Sequence, residues 1–232
     1  RVPFGRPHLH LRSCDSTNEI ARGLAAAGCG TGTLVTSDEQ TAARGRQGRP
    51  WSTHPGGALA YSLVLRGSVE MPTTVPLRAG IAVCEVVESL GVPKAMVKWP
   101  NDIWIEGRKC AGILVEARPQ DGWAVIGIGL NVNVPEEDFP EEFRHRATAI
   151  NTGATLAEAT AALNDRLEHW LDAPAEQMLA ELGQRDALAG RSIGWQGGEG
   201  TAAGIGSSGD LIVEDSEGRT LNLDAGEVHL SV

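Results

Sequence analysis

Apolar residues recur along this chain in two spacings, one typical of strands and one typical of helices. Short apolar runs at 9–11, 33–37, 58–65, 96–99, 103–105, 109–117 and 123–134 predict strands, with Gly, Asp and Asn turns between several of them. Apolar positions 77, 81, 84, 87 and 90 lie on one helical face, which places Cys84 in the core. Further helices are predicted at 20–27, after Thr155, and at 175–182, where Gly183 ends the last one. The closely spaced strands suit an antiparallel or mixed sheet.

The pattern changes near residue 185. Four short apolar stretches at 192–195, 201–205, 211–214 and 220–223, and a last one at 228–232, are separated by Gly, Asp and Ser turns. Such a run of short strands predicts a small β-barrel. We therefore divide the chain into a main domain at 1–184 and a C-terminal β domain at 185–232. The stretch 191–232 holds seven acidic and two basic residues, which disfavours nucleic acid as its ligand.

Two predicted helices begin with a capping signal. Ser16 with Glu19, and Thr155 with Glu158, have the spacing of a capping box, in which each side chain bonds a backbone N–H of the first turn. Ser16, Thr17 and Asn18 also place polar groups at a helix N-terminus, where a small polar ligand can bind. The sequence leaves both interpretations of Ser16 open.

Composition narrows the class of protein. The 232 residues carry a net charge of −10, with 41% hydrophobic and 22% charged residues, as in a soluble globular protein. No apolar run approaches the roughly 18 residues of a membrane span, and the start does not have the pattern of a signal peptide. The four cysteines are scattered, which argues against a zinc site or a disulfide framework. We expect a cytoplasmic protein with reduced thiols.

One loop stands out against this acidic background. Residues 40–51 contain Arg44, Arg46 and Arg49, interleaved with Gly45 and Gly48. No Asp or Glu occurs between residues 39 and 70, so the loop has a local positive field that suits a phosphate or a carboxylate. A solvated basic loop, or a segment that contacts RNA, is the alternative.

Motifs of several common enzyme classes are missing from the sequence. It has no P-loop, an incomplete dinucleotide fingerprint at Gly127, no nucleophile elbow and no histidine pair with metal-ligand spacing. Only three of the twenty basic residues are lysines, and Lys98 and Lys109 lie eleven residues apart. A lysine retained where arginine dominates suggests a compact charge beside a reacting phosphate or carboxylate, with chance as the alternative. Asp102 suits Mg²⁺ on a nucleotide, or is simply part of a surface turn.

Five segments together resemble the bacterial biotin protein ligases. They are Ser16-Thr17-Asn18, Gln40 with the loop 44–51, KWPNDI at 98–103, KCAGILVE at 109–116 and GIGLNVN at 127–133. They occur in the family's order and spacing over roughly residues 10–135. The resemblance implies an α+β (α/β) fold: a mixed sheet backed by helices, related to class II aminoacyl-tRNA synthetases, followed by an SH3-like β-barrel.

The resemblance also implies a reaction. Biotin would be activated with ATP and Mg²⁺ to biotinyl-5′-AMP, and then transferred to a lysine of the carboxyl-carrier domain of a biotin-dependent carboxylase. Residues 1–184 would form the catalytic domain, with Lys109 and Arg46 as catalytic residues and Asp102 as a possible Mg²⁺ ligand through the nucleotide. The biotin site would comprise Ser16, Thr17, Asn18, Gln40, Arg44, Gly45, Arg46, Lys109 and Gly112. The ATP and adenylate site would comprise Arg44, Arg46, Arg49, Trp51, Asn101, Asp102, Gly127 and Asn131.

The sequence departs from the family's pattern in two places. Ala43 stands where the loop usually has a glycine, and alanine would cost about 1 kcal/mol or more if that position needs positive φ. Repressor members carry an N-terminal helix-turn-helix domain, whereas this chain begins about a dozen residues before Ser16, so we expect no DNA-binding role and no nucleic acid or membrane partner. A related lipoate or octanoate ligase or transferase, or an RNA-binding module, remains the alternative function.

Overall fold

The main sheet contains seven strands. The computed structural model describes residues 3–67, 74–224 and 226–230. In chain order the strands are β1 His8–Leu11, β2 Leu34–Ser37, β3 Ala58–Arg66, β4 Met96–Lys98, β5 Asp102–Ile105, β6 Arg108–Arg118 and β7 Trp123–Asn131. Their spatial order is β1-β2-β3-β7-β6-β5-β4. β1 and β2 are parallel and the other neighbours antiparallel, so the predicted mixed sheet is confirmed.

Helices pack against both faces of this sheet. They are α1 Thr17–Ala26, α2 Val75–Ser89, α3 Leu156–Asp172 and α4 Ala175–Arg185. α2 and α3 belong to the large core with alternate strand residues such as Leu34 and Ile126, and Cys84 is buried there as predicted. α1 packs on the other face, against Val35 and Val125. Because strand side chains alternate between faces, one apolar run supplies both cores.

The two predicted capping boxes have different outcomes. At the start of α3, Thr155 and Glu158 form the reciprocal pair, so that prediction is confirmed. At the start of α1, Ser16 makes no side-chain cap bond, so the capping box predicted there is wrong. Glu19 instead lies 3.7 Å from Arg22 and 3.6 Å from Arg44, two cations that draw its carboxylate away from the helix end.

A second prediction fails at a helix end. Gly183 lies inside α4, which continues to Arg185, although glycine was expected to end the helix. The cost of an interior glycine is about 1 kcal/mol, and burial of Met178 and Leu182 on the inner face outweighs it. The last turn is further held by Arg185, which bonds Glu181 at 2.5 Å and Glu88 at 2.6 Å.

The C-terminal strands form a separate antiparallel sheet. They are β8 Ser192–Trp195, β9 Gly198–Ile205, β10 Leu211–Asp215, β11 Thr220–Leu223 and β12 Val228–Leu230, in the order β11-β10-β9-β8-β12. The last predicted strand, 228–232, ends outside the described residues. β11 and β12 are the two edges of the sheet, so a closed SH3-like barrel stays a prediction.

The second sheet packs directly on the first. The buried Trp99 indole donates to the Gly209 carbonyl at 2.9 Å, and the Ala187 amide donates to Val97 at 2.9 Å. One apolar cluster continues from α2 into the second sheet, where it includes Ile193 and Val213. This packing places residues 227–230 beside the open face of the main sheet. In the part of the chain that the structure describes, no helix is both long and apolar enough to cross a membrane.

Candidate ligand-binding cleft

A cleft of about 1160 Å³ lies on the sheet face that α1 also covers. Every site residue predicted from the sequence lines it: Ser16, Thr17, Asn18, Gln40, Arg44, Gly45, Arg46, Arg49, Trp51, Asn101, Asp102, Lys109, Gly112, Gly127 and Asn131. Residues 227–230 of the second sheet and residues of the 139–147 segment complete its walls. The fold therefore brings together predicted residues as distant in sequence as Ser16 and Asn131, which are 115 positions apart.

The register of the strands builds the floor of the cleft. Along one row across the sheet, Ala60, Gly129, Gly112, Asp102 and Lys98 lie opposite one another on β3, β7, β6, β5 and β4. Residues directly opposite share a face of the sheet. Three small residues thus give a flat floor, and two charged residues form its far end. A neighbouring row pairs Ser62 with Gly127 and Gly127 with Leu114.

Three glycines leave room for side chains that lie on this floor. A Cβ at Gly127 would overlap the Asn18 side chain, and one at Gly129 would overlap the Trp51 indole. A Cβ at Gly112 would lie 3.2 Å from Trp51 and 3.3 Å from Lys109. Gly127, assigned to the nucleotide by resemblance, therefore lies against Asn18, which was assigned to biotin.

Buried polar side chains close one end of the cleft. Gln40 Oε1 accepts from the Thr17 amide at 2.8 Å and from the Thr17 hydroxyl at 3.1 Å. The hydroxyl of Ser62, which is fully buried, lies 2.8 Å from Thr17 Oγ1 and 2.6 Å from Asn18 Oδ1. This network leaves the Gln40 amide NH₂ as a donor and Asn18 Oδ1 as an acceptor at the same end.

Charged groups occupy the other end. Lys109 Nζ lies 2.6 Å from Asp102 Oδ1 and 5.1 Å from the centre of the Trp51 ring. Lys98 stands opposite Asp102 on the neighbouring strand. Burial lowers the pKa of Lys98, and the nearby Lys109 and Arg46 lower it further, while Asp102 and Glu227 oppose the shift. The end of the cleft thus concentrates more positive charge than its carboxylates offset, an environment suited to phosphates.

The arginine loop, residues 40–51, forms a small hairpin over this charged end. The Gly45 amide bonds Arg49 at 2.8 Å, and the Trp51 amide bonds Ala43 at 3.0 Å. Positive φ falls on Gln47 (57°) and Gly48 (73°) within the loop. Ala43 does not have positive φ, so the backbone cost considered from the sequence does not arise here.

Each arginine of the loop is held by a different element. Arg44 lies 3.6 Å from Glu19 of α1, and Arg46 donates to Asn101 Oδ1 at 3.3 Å. Arg49 pairs at 2.5 Å with Glu227 of the C-terminal segment. The hairpin therefore bridges the first helix, the β4–β5 turn and the second sheet.

Residues 11–133 match the model of the biotin/lipoate A/B protein ligase family. The biotin–[acetyl-CoA-carboxylase] ligase of Mycobacterium tuberculosis is 33% identical over 231 residues, covering 92% of this chain and 85% of that protein. The chain belongs to the biotin/lipoate A/B protein ligase family.

Two further proteins are similar to this chain over different shares of its length. The bifunctional ligase/repressor BirA of Bacillus spizizenii is 39% identical over 153 residues, which cover 64% of this chain and 47% of the relative. The chain thus spans about half the length of that relative. The biotin protein ligase from Aquifex aeolicus, solved with biotin and ATP, superimposes with a TM-score of 0.86 at 27% identity, covering 97% of this chain and all of that one.

Several residues that line the cleft were not among the site residues predicted from the sequence. Ser62 interrupts the apolar run of β3, but a single serine in such a run is equally consistent with a serine in the core. Lys98 carries the signal of a lysine retained where arginine dominates, but the family resemblance assigns it no role in the site. Glu227 and its neighbours in β12 carry no motif, and only the packing of the two sheets brings them to the cleft.

Proposed function

We propose that the chain is an ATP-dependent biotin protein ligase. It activates biotin to biotinyl-5′-AMP with release of pyrophosphate, and transfers biotin to a lysine of the carboxyl-carrier domain of a biotin-dependent carboxylase. Family membership, and the likeness to relatives named as ligases for acetyl-CoA carboxylase, support this proposal. We further propose that residues 1–184 form the catalytic domain, that residues 185–232 form the C-terminal domain, and that the protein acts in the cytoplasm without a nucleic acid partner.

The observation that carries the choice of biotin is the buried polar end of the cleft. Thr17 and Asn18 are 3% and 7% exposed, and Ser62 is fully buried. A ligand there must replace water as hydrogen-bond partner, because an unpaired buried polar group costs about 1–3 kcal/mol. The cyclic urea of biotin offers both N–H donors and a carbonyl acceptor. The alkyl or dithiolane end of octanoate or lipoate offers neither, so these acids would leave the network unpaired.

The charged end of the cleft suits the reacting groups. The biotin carboxylate attacks the α-phosphorus, the bond to the β-phosphate breaks, and pyrophosphate leaves with its electron pair. Negative charge builds on oxygens that Lys109 and Arg46 are placed to neutralise, and Lys98 extends this field toward the leaving phosphates. The 2.6 Å contact with Asp102 fixes the Lys109 ammonium at the floor before the ligand arrives.

Magnesium fits the same end as the counter-ion of ATP. The carboxylate of Asp102 and phosphate oxygens are the donor set that Mg²⁺ prefers, and within the described residues there is no cluster of three or more acidic, His or Cys side chains for a separate metal. When bound, the ion would screen the phosphate charge. Asp102 would then serve both the ion and Lys109.

The second half-reaction needs access more than further chemistry. The acceptor amine attacks the carbonyl of the mixed anhydride, and AMP leaves with the electron pair of the broken C–O bond. The arginine hairpin lies over the adenylate end, where its guanidiniums oppose loss of the anionic intermediate. Its contacts with Glu19 and Glu227 are ion pairs of exposed arginines, so the hairpin is able to rearrange at small cost when the carrier domain docks.

The decisive test is exchange of labelled pyrophosphate into ATP by the purified chain. Exchange that depends on biotin, and does not occur with lipoate or octanoate, is the expected result. Lys109→Ala serves as the matched negative control, and Lys94→Ala, at an exposed position between α2 and β4, controls for loss of a lysine elsewhere. Exchange with lipoate or octanoate but not biotin would assign the alternative acid, and absence of exchange with all three acids would refute ligase activity.

A further inference from the structure

We infer that Glu116 is a positioning residue that fixes the amide orientation of Asn18 and thereby sets the specificity of the polar end of the cleft. Glu116 lies on β6 outside the residues that line the cleft, and its bond to Asn18 is its link to that lining. The inference rests on the proposed function, because it names the residue that selects the ring of the acid to be activated.

The contacts of Asn18 carry this inference. Asn18 Nδ2 donates to Glu116 Oε2 at 2.9 Å, and Asn18 Oδ1 accepts from Ser62 Oγ at 2.6 Å. The other oxygen of Glu116 pairs with Arg22 of α1 at 3.1 Å. Asn18 is thus held between a carboxylate on one side and a hydroxyl at the cleft on the other.

The chemistry of these partners allows one orientation of the amide. A carboxylate accepts hydrogen bonds and donates none, so the NH₂ side of Asn18 must face Glu116. The carbonyl oxygen must then face Ser62 and the cleft, and charge assistance strengthens the choice. A serine hydroxyl is satisfied by either orientation, because it donates and accepts. Glu116 therefore determines the orientation of the Asn18 amide, and the Ser62 hydroxyl adapts to it.

This orientation determines what the cleft accepts. With Oδ1 at the polar end, Asn18 receives an N–H of a ligand ring, while the free NH₂ of Gln40 bonds a ligand carbonyl. If Asn18 were turned over, two donors would stand at the same end and a cyclic urea would lose an acceptor for its N–H. The expected effect lies in the KM for biotin, and the nucleotide end is not touched.

The substitution Glu116→Gln tests this logic because Arg22 remains in place. The guanidinium takes the one oxygen of the new amide, which leaves its NH₂ facing the NH₂ of Asn18. Asn18 must turn over to relieve the contact between two donors. We expect the KM for biotin to rise roughly 10- to 50-fold in pyrophosphate exchange, the range for loss of a hydrogen bond of this kind. The KM for ATP and the melting temperature should stay near their wild-type values.

A swap of the two groups distinguishes positioning from a general structural role. In Asn18→Asp alone, two carboxylates face each other and biotin binding falls. In Asn18→Asp with Glu116→Gln, the glutamine NH₂ donates to one aspartate oxygen and the other oxygen again faces Ser62. We expect the double variant to recover most of the affinity that either single variant loses, since acid and amide are merely exchanged.

A matched control removes a comparable ion pair elsewhere. Glu85 is a half-buried carboxylate paired with Arg166 at 3.4 Å on the opposite side of the sheet, so Glu85→Gln should leave the KM for biotin unchanged. Two results would overturn this inference and leave the proposed function intact, provided that the wild type shows biotin-dependent exchange. One is a KM for biotin in Glu116→Gln equal to that of the wild type. The other is a double variant that binds biotin no better than the worse single variant. A wild type without biotin-dependent exchange would overturn the proposed function and this inference with it.

Discussion

Replacing Gly127 with alanine should damage the polar end of the cleft, which we propose for biotin, and spare the charged end, which we propose for the nucleotide. A Cβ at this position would overlap the Asn18 side chain. The backbone of Gly127 does not have positive φ, so alanine fits the strand without backbone strain, and the whole effect arises from that contact. Asn18 must leave its place, and with it go the hydrogen bonds to Ser62 at 2.6 Å and to Glu116 at 2.9 Å.

The size of the effect follows from the bond that the ligand loses. The two bonds of Asn18 within the protein are absent from the variant both with and without ligand, so they do not enter the affinity. The ligand N–H is left without the Asn18 acceptor, and an unpaired buried polar group costs about 1–3 kcal/mol. Since 1.4 kcal/mol corresponds to a factor of ten, biotin affinity would fall roughly 5- to 140-fold.

A neighbouring glycine supplies the control. Gly129 lies two residues on, on the same face of β7, but its Cβ would overlap Trp51 rather than Asn18. Steady-state exchange with biotin and ATP varied separately should therefore show a raised KM for biotin in Gly127→Ala and a raised KM for ATP in Gly129→Ala. Melting curves establish that both variants fold. A raised KM for ATP alone in Gly127→Ala would refute the placement of Gly127 and return it to the nucleotide side.

Three further changes probe the charged end of the cleft and the hairpin. Lys109→Ala should slow pyrophosphate exchange roughly 10²–10³-fold without loss of fold, because the charge on the reacting oxygens is no longer neutralised; a normal rate would remove Lys109 from the chemistry. Burial lowers the pKa of Lys98, and bound phosphates raise it again, so ATP binding should take up protons increasingly as pH rises toward the ordinary lysine range. Calorimetry in two buffers of different ionisation enthalpy measures that uptake, and Lys98→Arg should abolish it since arginine stays charged; equal uptake in both proteins would exclude Lys98 as its source. Glu227→Gln should barely change the melting temperature but should speed tryptic cleavage after Arg46, because Arg49 loses its 2.5 Å partner; an unchanged cleavage rate would show that the pair does not hold the hairpin.

The secondary structure was largely predictable because local patterns determine it. The strand expected at 220–223 is β11 and that at 192–195 is β8, since turn residues on both sides of a short apolar run fix where the strand begins and ends. The capping box at Ser16 failed in part for a non-local reason. Glu19 lies 3.6 Å from Arg44, which is 25 positions away, and no local rule foresees that competition. Gly183 failed because tertiary burial outweighed a local preference.

The sequence indicated many of the residues that line the cleft, but neither all of them nor the contacts among them. Motif resemblance identified Asn18, Gly127 and Trp51 as site residues, and all three line one cleft. What each of them touches depends on how β3, β6 and β7 align, and a one-residue slip would turn every side chain to the other face. The role of Glu116 was hidden for the same reason. Its partner Asn18 is 98 positions away, and a strand glutamate alone signals nothing.

The register of the sheet also bears on the length of the acid that we propose as ligand. Neighbouring strands are about 4.8 Å apart and successive residues on one face about 6.7 Å apart along a strand. Ser62 lies in the same row as Leu114 of β6, and Gly112 lies one row further along β6. Two strand steps and one row put Ser62 and Gly112 roughly 12 Å apart at the backbone. The Lys109 ammonium lies beside Gly112, 3.3 Å from where its Cβ would be, so it marks the far end of this distance. A bicyclic ring with a short alkyl chain and a terminal carboxylate spans such a distance once the side chains reach inward. The small residues Ala60, Gly129 and Gly112 make this distance usable, because they keep the row flat where the chain of the acid must cross it. If biotin is the ligand, as we propose, the same pairing of strands matches both its length and its polarity, and a change of register would lose both together.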